Sequence, residues 1–342
     1  MPTNMTDSCR LPEFSTDQAA KIVVDLFALD GSLKQLDGER DLNYLLDTPQ
    51  GKFVFKIANA DEAPSMLESH HEVFQLIRAA DAFPETATAE PSINGKTIEI
   101  ISSHQGTHAC RVLPFIEGRM LSEFENLQPA LLENLGRCLG RLDQVLSHYA
   151  HPALDRPLLW DLREALPVLE AYKPLLATEQ QREIVEYYES GFRHRVEPYR
   201  DELRRQVVHN DANRGNVVID ESGSTVLSVI DFGDMIDTWL VAEPAIAACY
   251  AMLGKATPLD NAAYLIGGFH SEYPLTDLEI DLLFDLIAMR LCMSVCICAH
   301  QIRLQPDNRY LAVDEADAWD LLSRMRNWDL AETRNRLREA CR

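Results

Sequence analysis

The alternation of apolar and polar positions divides the chain into two parts of different character. After residues 1–14, which read as a loose arm, Asp17–Leu29 places Ala20, Val23, Val24 and Phe27 at helical spacing. Three strands follow, Leu33–Leu36, Asn43–Asp47 and Lys52–Ile57, separated by turn signals at Asp37-Gly38 and Pro49-Gln50-Gly51. Pro64 then opens a helix over Ser65–Ala80, whose apolar positions Met66, Leu67, Val73, Phe74 and Ile77 suit packing on a sheet. Asn94-Gly95 marks a turn ahead of a further strand pair, Thr97–Ser102 and Ala109–Phe115.

Pro114 and the pair Glu117-Gly118 end that pattern, and beyond them the period becomes helical. Pro129–Tyr149 carries Leu131, Leu132, Leu135, Leu139, Leu142, Val145 and Leu146 as one apolar stripe. Gln180–Val196 repeats the pattern with Ile184, Val185, Tyr188 and Phe192 and stops at Pro198. A strand, a loop and a strand occupy the region 207–232. Ala242–Leu253, Ala262–His270, Asp277–Gln305 and Asp314–Glu339 then read as helices. The expected fold is α+β with two lobes: a small antiparallel-sheet N-lobe over 1–115, holding the nucleotide-binding sheet and one packed helix, and a mainly helical C-lobe over 116–342.

Composition changes this picture little. The chain has 342 residues, 46% hydrophobic and 25% charged, which is ordinary for two globular domains with a sizeable core. The balance of 32 basic and 54 acidic residues, a net charge of −22, argues against a nucleic-acid partner. Cys292, Cys296 and Cys298 cluster, but their spacing is not that of a zinc site, and core packing is the expected use. There is no basic stretch followed by an apolar one at the start. The most apolar segment, Leu282–Ala299, is interrupted by Asp285 and Arg290, so no membrane span and a cytoplasmic protein are expected.

The chemistry is concentrated in residues 207–233. His209-Asn210-Asp211 is followed after four residues by Asn216, and fifteen residues later by Asp231-Phe232-Gly233 at the end of an apolar run. Phosphoryl transfer needs one carboxylate to accept the proton of a hydroxyl, and an amide and a second carboxylate to hold Mg²⁺ against phosphates. Asp211 is the candidate base and Asn216 and Asp231 are the candidate metal ligands. His209 is expected to brace the loop. Arg214, inside the loop, is a candidate contact to phosphate or substrate. Asp234 and Asp237, just beyond the second motif, are candidates to receive a cationic group on the substrate.

In the first part, Lys56 ends the alternating strand Phe53–Ile57 and is the candidate phosphate ligand. Glu72, or Glu68 one helical turn earlier, is the candidate partner that fixes it. The turn around Gly38 is the candidate phosphate-covering loop, with one glycine in place of a glycine-rich motif. The segment Arg111–Phe115, with Leu113 and Phe115, is the candidate reader of the nucleotide base.

These motifs resemble the aminoglycoside phosphotransferase (choline kinase-like) superfamily over roughly residues 18–330. Within it, Glu39-Arg40-Asp41-x-Asn43-Tyr44, Phe53–Asn59, Leu159-Trp160-Asp161-Leu162 and Asp231-Phe232-Gly233-Asp234-Met235 are similar to the hydroxylysine kinase branch. The resemblance implies a protein-kinase-like fold and transfer of the γ-phosphate of ATP or GTP, with Mg²⁺, to a hydroxyl of a small amine or hydroxy-amino acid. It carries over the roles of Asp211, Asn216, Asp231 and Lys56. Two positions depart from the family pattern. Asn210 stands where glycine is usual, a change that asparagine tolerates because it enters φ > 0. Glu243, followed by Pro244, stands where Asp is common.

Two other readings share the motifs: an antibiotic kinase, which differs only in its acceptor, and a nucleotide-binding pseudokinase that regulates. Intact Lys56, Asp211, Asn216 and Asp231 weigh against the second. A protein kinase would add a G-x-G-x-x-G loop and an A-P-E string, which the chain lacks.

Overall fold

The computed structural model describes residues 11–36, 38, 40–304 and 315–342. The first ten residues of the expected N-terminal arm, Asp37 and Glu39 of the expected phosphate-covering loop, and the expected helix ends at Gln305 and Asp314 lie outside the described residues. Two compact units emerge, one up to Glu117 and one from Gly118.

In the first unit, α1 (Thr16–Phe27) begins with a capping box between Ser15 and Gln18 and ends at Ala28, which is left-handed at φ 54°. Its buried face is Ala19, Val23 and Phe27, whereas Val24, part of the expected stripe, is 45% exposed. Then come β1 (Ser32–Leu36), β2 (Leu42–Thr48), β3 (Gly51–Ile57), α2 (Pro64–Ala79), β4 (Glu99–Ser103) and β5 (Gly106–Pro114). The five strands form one antiparallel sheet in the order β1-β2-β3-β5-β4. Tyr44, Leu46, Phe55, Ile57 and Val112 build its core with α1. β5 starts earlier than expected because the hairpin turns tightly at His104-Gln105. The register places Lys56 opposite Asn43 on β2 and Arg111 on β5.

The second unit is mainly helical, with short strands: β6 (Arg119–Met120), α3 (Pro129–Leu146), α4 (Ala165–Tyr172), α5 (Glu179–Arg195), β7 (Arg205–Val208), β8 (Val217–Ile219), β9 (Val226–Val229), β10 (Ile236–Trp239), α6 (Ala242–Met252), α7 (Pro258–Glu272), α8 (Asp277–Leu304), α9 (Glu315–Met325) and α10 (Leu330–Ala340). β7 pairs with β10, and β6, β8 and β9 form a second small antiparallel sheet. The pattern did not reveal β6, β10 or α4. The single helix expected over 314–339 is two, because the Asp329 carboxylate caps a new helix by accepting from Glu332 N–H at 2.9 Å.

α8 is 28 residues long, which exceeds the apolar run that suggested it. By length and composition it could cross a membrane, but 89% of its most apolar window is buried inside the unit. Cys292, Cys296 and Cys298 lie on it as buried free thiols, and burial pushes Cys296 up to about 12.

α3 and α7 pack backbone against backbone. A Cβ on Gly136 would stand 1.9 Å from the Leu265 carbonyl oxygen, and one on Gly268 would stand 2.2 Å from that of Glu133. Gly136→Ala would raise helix propensity by about 1 kcal/mol at a free position. Here it must push two helices apart, and we expect a net loss of about 1–3 kcal/mol. Thermal unfolding of the two proteins checks this, and an unchanged or raised midpoint for the variant would contradict it.

Candidate active site

In the second unit, β7 carries the chain into the core and delivers His209, Asn210 and Asp211. His209 is fully buried. Its Nδ1 accepts from Asp211 N–H at 3.3 Å and its Nε2–H donates to the Ile230 carbonyl at 3.1 Å. Those partners specify the neutral Nε2–H tautomer. Burial agrees, pushing the imidazole down to about 4. The ring also meets Phe232 edge-on at 4.6 Å. His209 therefore ties the loop to the end of β9 and does not titrate near neutrality.

Asn210 is left-handed at φ 65°. The turn aims its N–H at α6, where Glu243 Oε2 accepts it at 2.7 Å. The longer acid at the family's usual Asp position thus still braces the loop. Glu243 is fully buried, and burial pushes it up to about 7 against the pull of the Asn210 and His209 N–H groups and of Arg290. Asp143 on α3, also fully buried, is driven well above the usual carboxylate range by burial and then by Glu243.

Asp211 is held from several sides. Asn216 Nδ2 donates to its Oδ2 at 2.7 Å and to its backbone oxygen at 3.0 Å, and Asn213 Nδ2 donates to Oδ1 at 3.0 Å. Arg290 Nη2 stands 3.6 Å from Oδ1. Burial, followed by the Asp234 carboxylate, raises Asp211 to about 8, while Arg290 and Asn213 pull it down. Asp231 adds a smaller upward push.

Asn216 and Asp231 sit at one end of the β8–β9 hairpin, because Val217 pairs with Val229 and Ile230 N–H donates to the Asn216 carbonyl at 2.8 Å. Asp231 is left-handed at φ 62°, and its Oδ1 accepts from Gly233 N–H at 3.2 Å. The donor set suits a hard cation. Both amide hydrogens' nitrogen of Asn216 is committed to Asp211, which leaves the amide oxygen for another partner. The Asp234 and Asp231 carboxylates both push Asp211 up, a repulsion that a bound cation would relieve. Among the described residues, no group of three or more His, Cys, Asp or Glu side chains could hold a metal ion. Mg²⁺, which takes one or two protein carboxylates and completes its shell with water and phosphate, does not need one.

Asp237 lies on β10 opposite Val207, and its Oδ1 is 3.4 Å from Arg205 Nη2. Arg214 stays in the loop, its carbonyl accepting from Ser122 N–H at 2.9 Å. Sequence reasoning missed the scaffold behind the second motif. Arg156 Nη2 donates to the Gly233 carbonyl at 2.7 Å, and Asp161 accepts from the Thr238 hydroxyl at 2.5 Å. It also missed Arg290, read only as a charge breaking an apolar segment. The signal was there: a lone arginine in the middle of the most apolar helix.

In the first unit, Lys56 Nζ lies 4.0 Å from Asp41 Oδ2, with the lysine side chain 16% exposed. Asp41 Oδ1 also accepts from Asn59 N–H at 3.2 Å. Glu72 and Glu68 are both exposed on α2, and Asp41, just before β2, lies close enough to Lys56 for an ion pair. A Cβ on Gly38 would come within 2.5 Å of the Asp41 carbonyl, so the turn needs glycine there. Leu113 is buried opposite Val54, and Phe115 N–H donates to the Lys52 carbonyl at 3.0 Å.

A five-stranded antiparallel sheet unit, a helical unit and an H-x-D-x4-N loop coupled to D-F-G define a small-molecule kinase, a phosphotransferase with an alcohol group as acceptor. The chain belongs to the phosphotransferase enzyme family (APH), whose model matches residues 32–277. Hydroxylysine kinases of Mus musculus and Bos taurus are each 30% identical to it over 341 residues, covering 92% of this chain and 90% of theirs. Among solved structures, a microcompartment-associated aminopropanol kinase is similar with TM-score 0.71 and 16% identity, over 94% of this chain and 98% of that one. An amicoumacin kinase in complex with AMP-PNP, Ca²⁺ and Ami is similar with TM-score 0.69 and 17% identity, over 94% of each chain. These two likenesses concern the fold.

The Glu243 brace has a pH signature. Its folded pKa, about 7, lies above the ordinary 4.5, so protonated Glu243 contributes stability below about pH 4.5 that is lost as pH rises through about 7. The loss amounts to ~3 kcal/mol at most. His209 acts oppositely, its contribution being lost as pH falls from 6.5 towards about 4. It is common to wild type and Glu243→Gln, so their difference reports the Glu243 carboxyl together with its effect on Asp143. We expect the wild-type unfolding midpoint to fall relative to Glu243→Gln as pH rises from 4.5 to 7. A pH-independent difference would refute this assignment.

Proposed function

We propose that the chain transfers the γ-phosphate of ATP or GTP to the hydroxyl of a small amine or hydroxy-amino acid of the hydroxylysine type, with Asp211 as base. The observation that carries the reading is the Asn216 side chain. Its amide nitrogen orients the Asp211 carboxylate at 2.7 Å, and its free oxygen belongs to the same hairpin end as Asp231.

Asp211 accepts a hydrogen bond from the acceptor hydroxyl and takes its proton as the oxygen attacks the γ-phosphorus, while the bond from that phosphorus to the β–γ bridging oxygen breaks and the nucleoside diphosphate leaves. Asn213 and Asn216 keep the carboxylate in one orientation. Asn216 and Asp231 are the residues that would hold Mg²⁺, and the ion would supply charge neutralisation at the phosphates. Lys56, steadied by Asp41, binds phosphate oxygens as a point charge. Asp234, the carboxylate that acts on Asp211, receives the ammonium of the acceptor. The hydroxylysine kinases similar to this chain motivate the hydroxy-amino acid.

The test is phosphate transfer or release with Mg²⁺ and either ATP or GTP over hydroxylysine, homoserine, choline, ethanolamine and aminoglycosides. Turnover with a hydroxy-amino acid is expected. Asp211→Asn should lower kcat by about 10²–10⁴-fold, the range for loss of a general base. Asp231→Ala should abolish transfer at any Mg²⁺ concentration. If no hydroxylated amine is phosphorylated with either nucleotide, the reading fails, and activity confined to aminoglycosides would move the chain to the antibiotic kinases.

A further inference from the structure

Arg290 lies in the middle of α8, within a run from Ala288 to Met293 that is buried throughout, and is itself 1% exposed. Its guanidinium stacks over the Trp160 ring at 4.6 Å and faces the Tyr250 ring at 5.7 Å. Nη1 donates to the Trp160 carbonyl at 2.8 Å. Nη2 donates weakly to the Tyr250 hydroxyl at 3.4 Å and stands 3.6 Å from Asp211 Oδ1. The Nε–H has no acceptor among the described residues.

Such a group is a costly way to stabilise a fold. Taking a guanidinium out of water costs several kcal/mol, and apolar replacements of buried ion pairs are often neutral or stabilising. What Arg290 touches explains its presence. The amide bonds to Asp211 come from Asn213 and Asn216, which belong to the same loop. They hold the carboxylate relative to the loop and would move with it. Arg290 comes from a core helix. It also opposes the Asp231 and Asp234 carboxylates, whose repulsion would otherwise turn the Asp211 side chain away.

We propose that Arg290 is a positioning residue that fixes the Asp211 carboxylate from the core, while Trp160 and Tyr250 fix Arg290. The inference rests on the reading of Asp211 as the base. A lysine would keep the charge, but a single ammonium cannot reach the Trp160 carbonyl and Asp211 in the plane that the fork provides.

The test uses the full chain as Arg290→Met, Arg290→Lys and Tyr250→Phe, with the best acceptor of the screen, together with crystal structures of the variants. For Arg290→Met, kcat should fall about 100-fold, the scale of a misplaced catalytic group, with nucleotide KM unchanged. Arg290→Lys should recover part of the loss, and Tyr250→Phe should cost less than about ten-fold. In the structures, Asp211 should leave its bond with Asn216 when Arg290 is replaced. Unchanged kcat in Arg290→Lys and Arg290→Met overturns the proposal. So does a parallel loss of nucleotide affinity, kcat and unfolding midpoint, which marks a structural role. If Arg290→Met does not fold, the other two variants decide. If Asp211→Asn keeps full turnover, the base assignment fails on its own, and the orientation of Asp211 in the variant crystals still tests the hold of Arg290 upon it.

Discussion

The shape of the reaction loop depends on one buried hydrogen bond, from Asn210 N–H to Glu243 Oε2 at 2.7 Å. The left-handed turn at Asn210 takes that N–H out of the β7 ladder and points it into the core. A buried N–H without an acceptor costs about 1–3 kcal/mol, so the turn and its acceptor stand or fall together. Glu243 meets the need from the first turn of α6, where the free N–H groups and dipole of a helix favour a carboxylate. Pro244 beside it suits the same first turn, where a missing N–H is no loss. Glutamate for aspartate, with a proline after it, is therefore a coherent local solution.

A second left-handed residue, Asp231, follows the end of β9 much as Asn210 follows β7. Non-glycine residues rarely adopt this conformation, and Asn and Asp do so most readily. At Asn210 glycine would serve the backbone equally well. At Asp231 it would not, because the carboxylate is the group the turn presents. Strain held at two strand ends, one just before Asp211 and one at Asp231, is the pattern of a site over-determined by its surroundings.

How much of this was legible in the sequence follows the range of the interactions. The sheet of the first unit and the long helices α3, α5 and α8 are local patterns, and the apolar period carried them. β6 and β10 are two and four residues long, too short for an alternation to be read. α4 contains Pro167 and spans eight residues. The loop motif was readable because Asp211, Asn216 and Asp231 are close in sequence. The partners of Arg290, Trp160 and Asp41 were not, because only chain folding brings these residues together with Asp211 and Lys56. Asp41 could be found only by placing β2 against β3 in the register that sets Asn43 opposite Lys56.

Around its loop the second unit presents Asp211, Asp231 and Asp234, and the two neighbouring carboxylates both weigh on Asp211. Arg290 is the guanidinium facing Asp211, and it is not available to phosphate. It is buried against Trp160 and Tyr250. It is a counter-ion that phosphate cannot draw off, and it pulls Asp211 down against the burial and the neighbouring carboxylates that raise it to about 8.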